Sequence, residues 1–240
     1  MKERTLRFSG LEWYELVQNK KILIVGAGGI GSWCTLFLSR ILEKTPIYVM
    51  DYDIVEEHNI GGQFFDSFNV GSLKVAALQR QITGHYGGMV SVVNDRFTKN
   101  TGLTDVNFII SAVDNMRTRK VIFDKIVEKL NTTGKLTHLI DGRLLAESYQ
   151  IFSVYNSNDF EQYKATLFND EEAPTMACST KATTHCGAAI AADITGILLN
   201  MVTNDHYKDN RREVPFMISK YFDLMMYDTK IPEIFQTERV

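Results

Sequence analysis

Apolar residues fall along this chain in two rhythms. Short, nearly continuous apolar runs occur at Lys21–Val25, Ile47–Asp51, 89–93, 106–113 (VNFIISAV) and 136–143 (LTHLIDGR). Such runs are expected of parallel strands buried on both faces. Between them the apolar positions take helical spacing, as in Trp33, Leu36, Phe37 and Ile41 after Gly31. Further helices are expected over 10–19, 71–86 and 115–130, and residues 54–70 read as an irregular polar segment. From Glu147 the rhythm changes to alternation in SYQIFSVYN, the mark of an antiparallel strand with one face exposed. A loop over 156–180 then leads to a long apolar helix over 181–203, rich in small residues (GAAIAADITGILLNMV). The alternation of strand and helix predicts an α/β fold: a Rossmann-like, mainly parallel twisted sheet flanked by helices, with an antiparallel extension. One domain is expected over residues 1–240.

Composition narrows the function. The hydrophobic share of 45% suits a chain with a real core, and a net charge of −3 gives no electrostatic footprint for nucleic acid or a membrane surface. The first residues, MKERTLRFSGLEWYEL, lack the apolar run of a signal peptide, and no uninterrupted apolar stretch approaches a membrane span. The three cysteines, Cys34, Cys178 and Cys186, are odd in number and scattered, so reduced thiols and a cytoplasmic location are expected.

The first strand runs into Gly26-Ala-Gly28-Gly29-Ile-Gly31, a G-x-G-x-x-G turn opening a helix. Its glycines allow a tight turn, close backbone approach to a phosphate and close helix–strand packing. The helix start then points unpaired N–H groups at an anion. Asp51, twenty residues past Gly31, ends the second strand where ribose hydroxyls would lie. The pattern predicts an adenine nucleotide and leaves NAD, FAD and ATP open.

Further motifs follow in order: Asp51 and Asp53, Asn59 with Gln63, Gly71 with Lys74, then Asp114 with Arg119 in SAVDNMRTR. With the glycine loop, this series resembles the ThiF/MoeB/ubiquitin-activating superfamily of adenylating enzymes over roughly residues 20–205. The 240-residue length resembles that of small bacterial or phage-type members. The resemblance implies ATP-dependent adenylation of a carboxylate, the C-terminus of a small ubiquitin-like or sulfur-carrier protein, with release of pyrophosphate. It implies that Gly26, Gly28, Gly29 and Gly31 cradle phosphate, that Asp51 and Asp53 serve the ribose side, and that Lys74 neutralises phosphate charge. Asp114 would hold Mg²⁺, with Asn59 and Gln63 orienting the triphosphate or the incoming carboxylate. A homodimer is also implied.

Two departures matter. Gly62 stands where the family usually carries an arginine, so another arginine compensates or activity is weakened. Arg7, Arg117 and Arg143 are the candidates, and Arg143, at the end of a predicted strand, is favoured. The chain also has no C-x-x-C pair, so the structural zinc of many relatives is not expected. Cys178 lies where some relatives place an acyl-accepting thiol, with Lys181 and His185 nearby to favour a thiolate; the alternative is a half-buried loop residue. Cys34 and Cys186 read as packing, His138 as a satisfied core histidine, and His58 as a surface group. The competing functions are a nucleotide-binding partner subunit that has lost catalysis, and an NAD-dependent oxidoreductase.

Overall fold

The computed structural model describes residues 5–169, 183–207 and 211–229. Eight strands form one sheet in the order β3-β2-β1-β4-β5-β6-β7-β8. Its parallel half comprises β1 (Ile22–Val25), β2 (Ile47–Met50), β3 (Val90–Val93), β4 (Phe108–Ser111) and β5 (His138–Leu145). The antiparallel extension is β6 (Ser148–Val154), β7 (Met217–Tyr221) and β8 (Met226–Asp228). The expected α/β architecture is therefore present, and the extension is longer than the alternation in SYQIFSVYN alone announced. The loop expected over 156–180 carries a short helix, α5 (Phe160–Lys164), and beyond Asn169 it lies outside the described residues up to Thr183.

Strand side chains alternate between two apolar layers. Ile22 and Ile24 join one core with Ile47, Val49, Phe108, Ile110 and Ile140, beneath α1 (Glu12–Val17), α2 (Gly31–Ile41), α3 (Lys74–Gln81) and α6 (Thr184–His206). Leu23 and Val25 enter the opposite core with Ile109, Leu139, Phe152 and Val154, covered by α4 (Met116–Thr133) and α5. Two covered faces explain why these strands read as unbroken apolar runs.

The 23-residue α6 is long and apolar enough to cross a membrane. Here its stripe Cys186, Ile190, Ile194, Ile197, Leu198 and Met201 is buried, and the helix packs on α1, α2, β5 and β6. The helix expected over 71–86 is shorter: α3 begins at Lys74, then widens into a π turn at Ile82–Tyr86 that stops at left-handed Gly87. His138 is satisfied as expected, with Nδ1 against the Tyr155 carbonyl and Nε2 3.5 Å from Asp205.

Candidate nucleotide site

β1 is followed outward by β2 and β3 on one side, whereas β4 lies on its other side. This reversal opens a crevice beyond the carboxyl ends of β1 and β4, where open α/β sheets bind ligands. The glycine turn lies there, and each of two glycines has a steric cause. Gly26 has φ +95°, and a Cβ on it would sit 2.5 Å from the Ala112 carbonyl oxygen; at Gly31 it would sit 1.8 Å from the carbonyl oxygen of Gly26. No side chain caps α2, so the polarity of its first turn faces the turn of backbone before it.

A continuous chain of contacts runs from this turn to Lys74. The Ala27 N–H donates to Asp51 at 2.6 Å, and the other Asp51 oxygen accepts from the Asp53 N–H at 2.7 Å. The Asp53 carboxylate pairs with Lys74 Nζ at 3.1 Å, and its carbonyl accepts from the Lys74 N–H. Lys74 is buried to 8% exposure at the first residue of α3, which holds a charge where a surface lysine would be solvated. The irregular segment closes on the turn from above. Asn59 is buried and caps a short turn through the Glu56 N–H, while its carbonyl accepts from Gly62 and Gln63. Gln63 Nε2 comes within 3.9 Å of where a Gly28 Cβ would stand, and its Oε1 is buried without a partner. The Gly62 carbonyl accepts from the Trp33 indole at 3.2 Å.

On the β4 side, Asp114 is exposed just beyond the strand, and one of its oxygens accepts from Asn115 Nδ2 at 3.1 Å. Asn115 caps α4 by accepting from the Thr118 N–H. Asp114 thus offers an accessible carboxylate, the donor that magnesium takes singly or in pairs alongside phosphates and water. No cluster of three or more His, Cys, Asp or Glu suited to a metal occurs among the described residues.

The arginines go elsewhere than the sequence suggests. Arg119 is buried; it donates to Asp141 at 2.9 Å, to the Gly142 carbonyl at 3.1 Å and to the Val113 carbonyl beside Asp114. Arg143, favoured as the replacement for the arginine missing at Gly62, donates to the same Asp141 at 2.9 Å and twice to Thr166, with its guanidinium over the Phe152 ring. Its charge is committed to a buried carboxylate, which leaves it a brace between β5 and the end of α5. Asp141 is fully buried; burial alone would raise its carboxyl, but Arg119 and Arg143 outweigh that and hold it below the usual range. Arg7 is exposed ahead of α1. Cys178 and Lys181 lie outside the described residues. Cys34 and Cys186 are buried, and burial pushes both thiols up, as expected of packing residues. His185 is exposed, its ring edge-on to Phe222.

Sequence reasoning missed Asp141 and Gly187. Asp141 was visible as a lone acid inside an apolar strand. Gly187 lies on α6 where a Cβ would meet the Gly29 carbonyl oxygen at 2.6 Å, so α6 presses directly on the glycine turn. Only a contact distant in sequence makes that glycine necessary.

Fold and site together define a doubly wound α/β protein with a crevice at the β1/β4 switch point. The ThiF family pattern matches residues 2–225, and the chain belongs to that family. It is 32% identical over 133 residues to ubiquitin-like modifier-activating enzyme 5 of Drosophila ananassae, a match covering 48% of this chain and 33% of the relative. It is 30% identical over 152 residues to adenylyltransferase and sulfurtransferase MOCS3 of Dictyostelium discoideum, covering 61% of this chain and 34% of that protein. These matches span about a third of the length of the curated relatives. Among solved structures, E. coli tRNA N6-threonylcarbamoyladenosine dehydratase, TcdA, in complex with ATP, superposes with a TM-score of 0.64 at 18% identity, over 86% of this chain and 95% of that one. That likeness shows the shared fold.

Proposed function

We propose that this chain binds MgATP at the β1/β4 crevice and adenylates a carboxylate, that of the C-terminus of a small ubiquitin-like or sulfur-carrier protein. The observation that carries the proposal is the unbroken series Ala27–Asp51–Asp53–Lys74, joined on its other side by Gln63 against Gly28. A dinucleotide site needs the acid at the end of β2; it has no use for a buried lysine tied to a second acid, Asp53, or for an amide held over the glycine turn. Family membership and the names of the relatives support the same chemistry.

In this reading a carboxylate oxygen attacks the α-phosphorus while the bond to the pyrophosphate oxygen breaks, leaving an acyl-adenylate and free pyrophosphate. The protein's work is alignment and charge neutralisation. Backbone N–H groups at the start of α2 meet phosphate oxygens, and Asp51 keeps lone pairs for ribose hydroxyls. Lys74 exchanges Asp53 for a phosphate. Magnesium held by Asp114 would supply positive charge to the phosphates. Asn59 and Gln63 orient the triphosphate or the incoming carboxylate. A homodimer and a cytoplasmic setting belong to the same reading, and Cys178 is its candidate acyl acceptor.

ATP–pyrophosphate exchange with a candidate carrier tests the proposal. Exchange should occur, and Lys74→Ala or Asp114→Ala should abolish it; unchanged exchange in both variants would refute the site. Gly62 favours a second reading, a partner subunit that binds ATP without turnover. ATP binding without exchange would select it, and nicotinamide binding without ATP binding would select an oxidoreductase.

A further inference from the structure

Asp114 lies just beyond β4, and a carboxylate that takes magnesium must be held within roughly 0.5 Å of its working position. Its own side chain does little of this, being exposed and bonded to the adjacent Asn115 Nδ2. The backbone must therefore place it. Residue-by-residue pairing of β4 with β1 and β5 ends at Ser111, and the Ala112 N–H makes one further bond to the Val25 carbonyl at 2.8 Å. The next carbonyl, that of Val113, accepts from Arg119 Nη2. That peptide is planar and also carries the Asp114 N–H, so a turn of its plane swings the Asp114 side chain with it. Arg119 reaches it from the first turn of α4, and the same nitrogen donates to the Gly142 carbonyl at 3.1 Å. One nitrogen thus joins the β4–α4 loop to the backbone of β5. Its direction is set from behind. Arg119 Nε donates to one Asp141 oxygen and Arg143 Nε to the other, each at 2.9 Å. Arg143 is pinned in turn by two bonds of 2.9 Å to Thr166 and by the Phe152 ring beneath it. Arg119 and Asp141 are 5% and 0% exposed, so each link is a fixed side chain and not a solvated one.

We propose that Arg119 and Asp141 are positioning residues for Asp114: Asp141 orients the Arg119 guanidinium, and the guanidinium sets the Val113–Asp114 peptide so that the carboxylate meets magnesium bound with ATP. This role rests on the MgATP reading and belongs to residues buried behind the site. A structural role alone would lower stability and leave the contribution of magnesium to ATP binding unchanged. A positioning role shows in that contribution, and lysine at position 119 would not restore it, because it keeps the charge and loses the planar fork that serves Asp141, Val113 and Gly142 together.

Calorimetric titration with ATP, once in magnesium and once in EDTA, separates the two roles, with circular dichroism reporting that each variant is folded. In the wild type magnesium should tighten binding, and Asp114→Ala should abolish the tightening. Arg119→Lys and Asp141→Asn should each weaken binding in magnesium about tenfold, the scale on which outer partners of a metal ligand act, and leave the EDTA value within about twofold. Arg143→Lys, which keeps a charge beside Asp141 and loses the paired bonds to Thr166, is the milder variant should Asp141→Asn unfold; it should weaken binding in magnesium about threefold, the scale of one hydrogen bond. If magnesium has no effect on the wild type, Asp114 does not hold the metal, that part of the MgATP reading fails and the positioning role falls with it. If Asp114→Ala loses the magnesium effect while folded Arg119→Lys and Arg143→Lys keep it, or weaken binding equally in EDTA, the positioning role alone is overturned.

Discussion

Asp141→Asn removes one negative charge from a site the solvent does not reach. In the native chain both carboxylate oxygens are occupied, one by Arg119 and the other by Arg143, each at 2.9 Å. The amide is nearly the same size, so packing is kept while two guanidiniums are left facing a neutral group that now carries donors. Breaking a buried ion pair by deleting one partner costs ~3–5 kcal/mol, because the remaining charge is neither solvated nor compensated. For a chain of this length each kcal/mol moves the melting temperature by about 2–4 °C, so a fall of roughly 6–20 °C is expected. Asp124→Asn, on the exposed face of α4, is the control and should stay within about 0.5 kcal/mol. Urea and thermal melts followed by circular dichroism measure both. The pH dependence provides an independent check. Because the folded Asp141 carboxyl is held below its unfolded value, its contribution is present above about pH 4 and is lost as pH falls through the folded value. The gap between wild type and Asp141→Asn should therefore be flat from about pH 5 to 8 and close below about pH 4. A loss under about 1 kcal/mol at neutral pH would show that the arginines find other partners and that the cluster does not anchor the β4–α4 loop.

The Gly187→Ala variant should lower ATP affinity by roughly tenfold or more, since its Cβ must push the Gly29 carbonyl and with it the N–H groups of the turn; calorimetric titration with ATP measures this, and an unchanged Kd would refute the contact as the control on the turn. Tyr149→Phe removes the bond from a buried phenol to Asp193 on α6 and should cost about 1–2 kcal/mol in denaturant melts, because the carboxylate is half-exposed and can recruit water. In pyrophosphate exchange, Lys74→Arg should fall well short of wild type, since the wider guanidinium does not fit a position of 8% exposure; full activity would place Lys74 outside the reaction.

The parallel half of the sheet was legible because its strands are buried on both faces, and such burial writes itself locally as continuous apolar runs. The glycine turn was legible for a similar reason, since the backbone geometry at Gly26 and Gly31 tolerates no side chain. β7 and β8 were not. Met217–Tyr221 and Met226–Asp228 carry no strong periodicity, and they are strands because β6 offers an edge to pair with. The start of α3 was set three residues late by the contact of Asp53 with Lys74, a cap supplied from another segment. The role of Arg143 was misjudged on position along its strand, which does not reveal that Asp141, two residues earlier, would share its charge with Arg119 from α4.

Local pattern alone therefore established the class of fold, the glycine turn, the acid at the end of β2 and the family series through Lys74 and Asp114. These follow from constraints acting within a few residues: strand burial, helix period and the sterics of a tight turn. Tertiary structure decided which charges are spent and which stay available. It committed Arg119 and Arg143 to Asp141, buried Lys74 against Asp53 and set Gly187 on the turn. Desolvation and pairing depend on neighbours brought together from distant parts of the chain, and no local pattern carries that information.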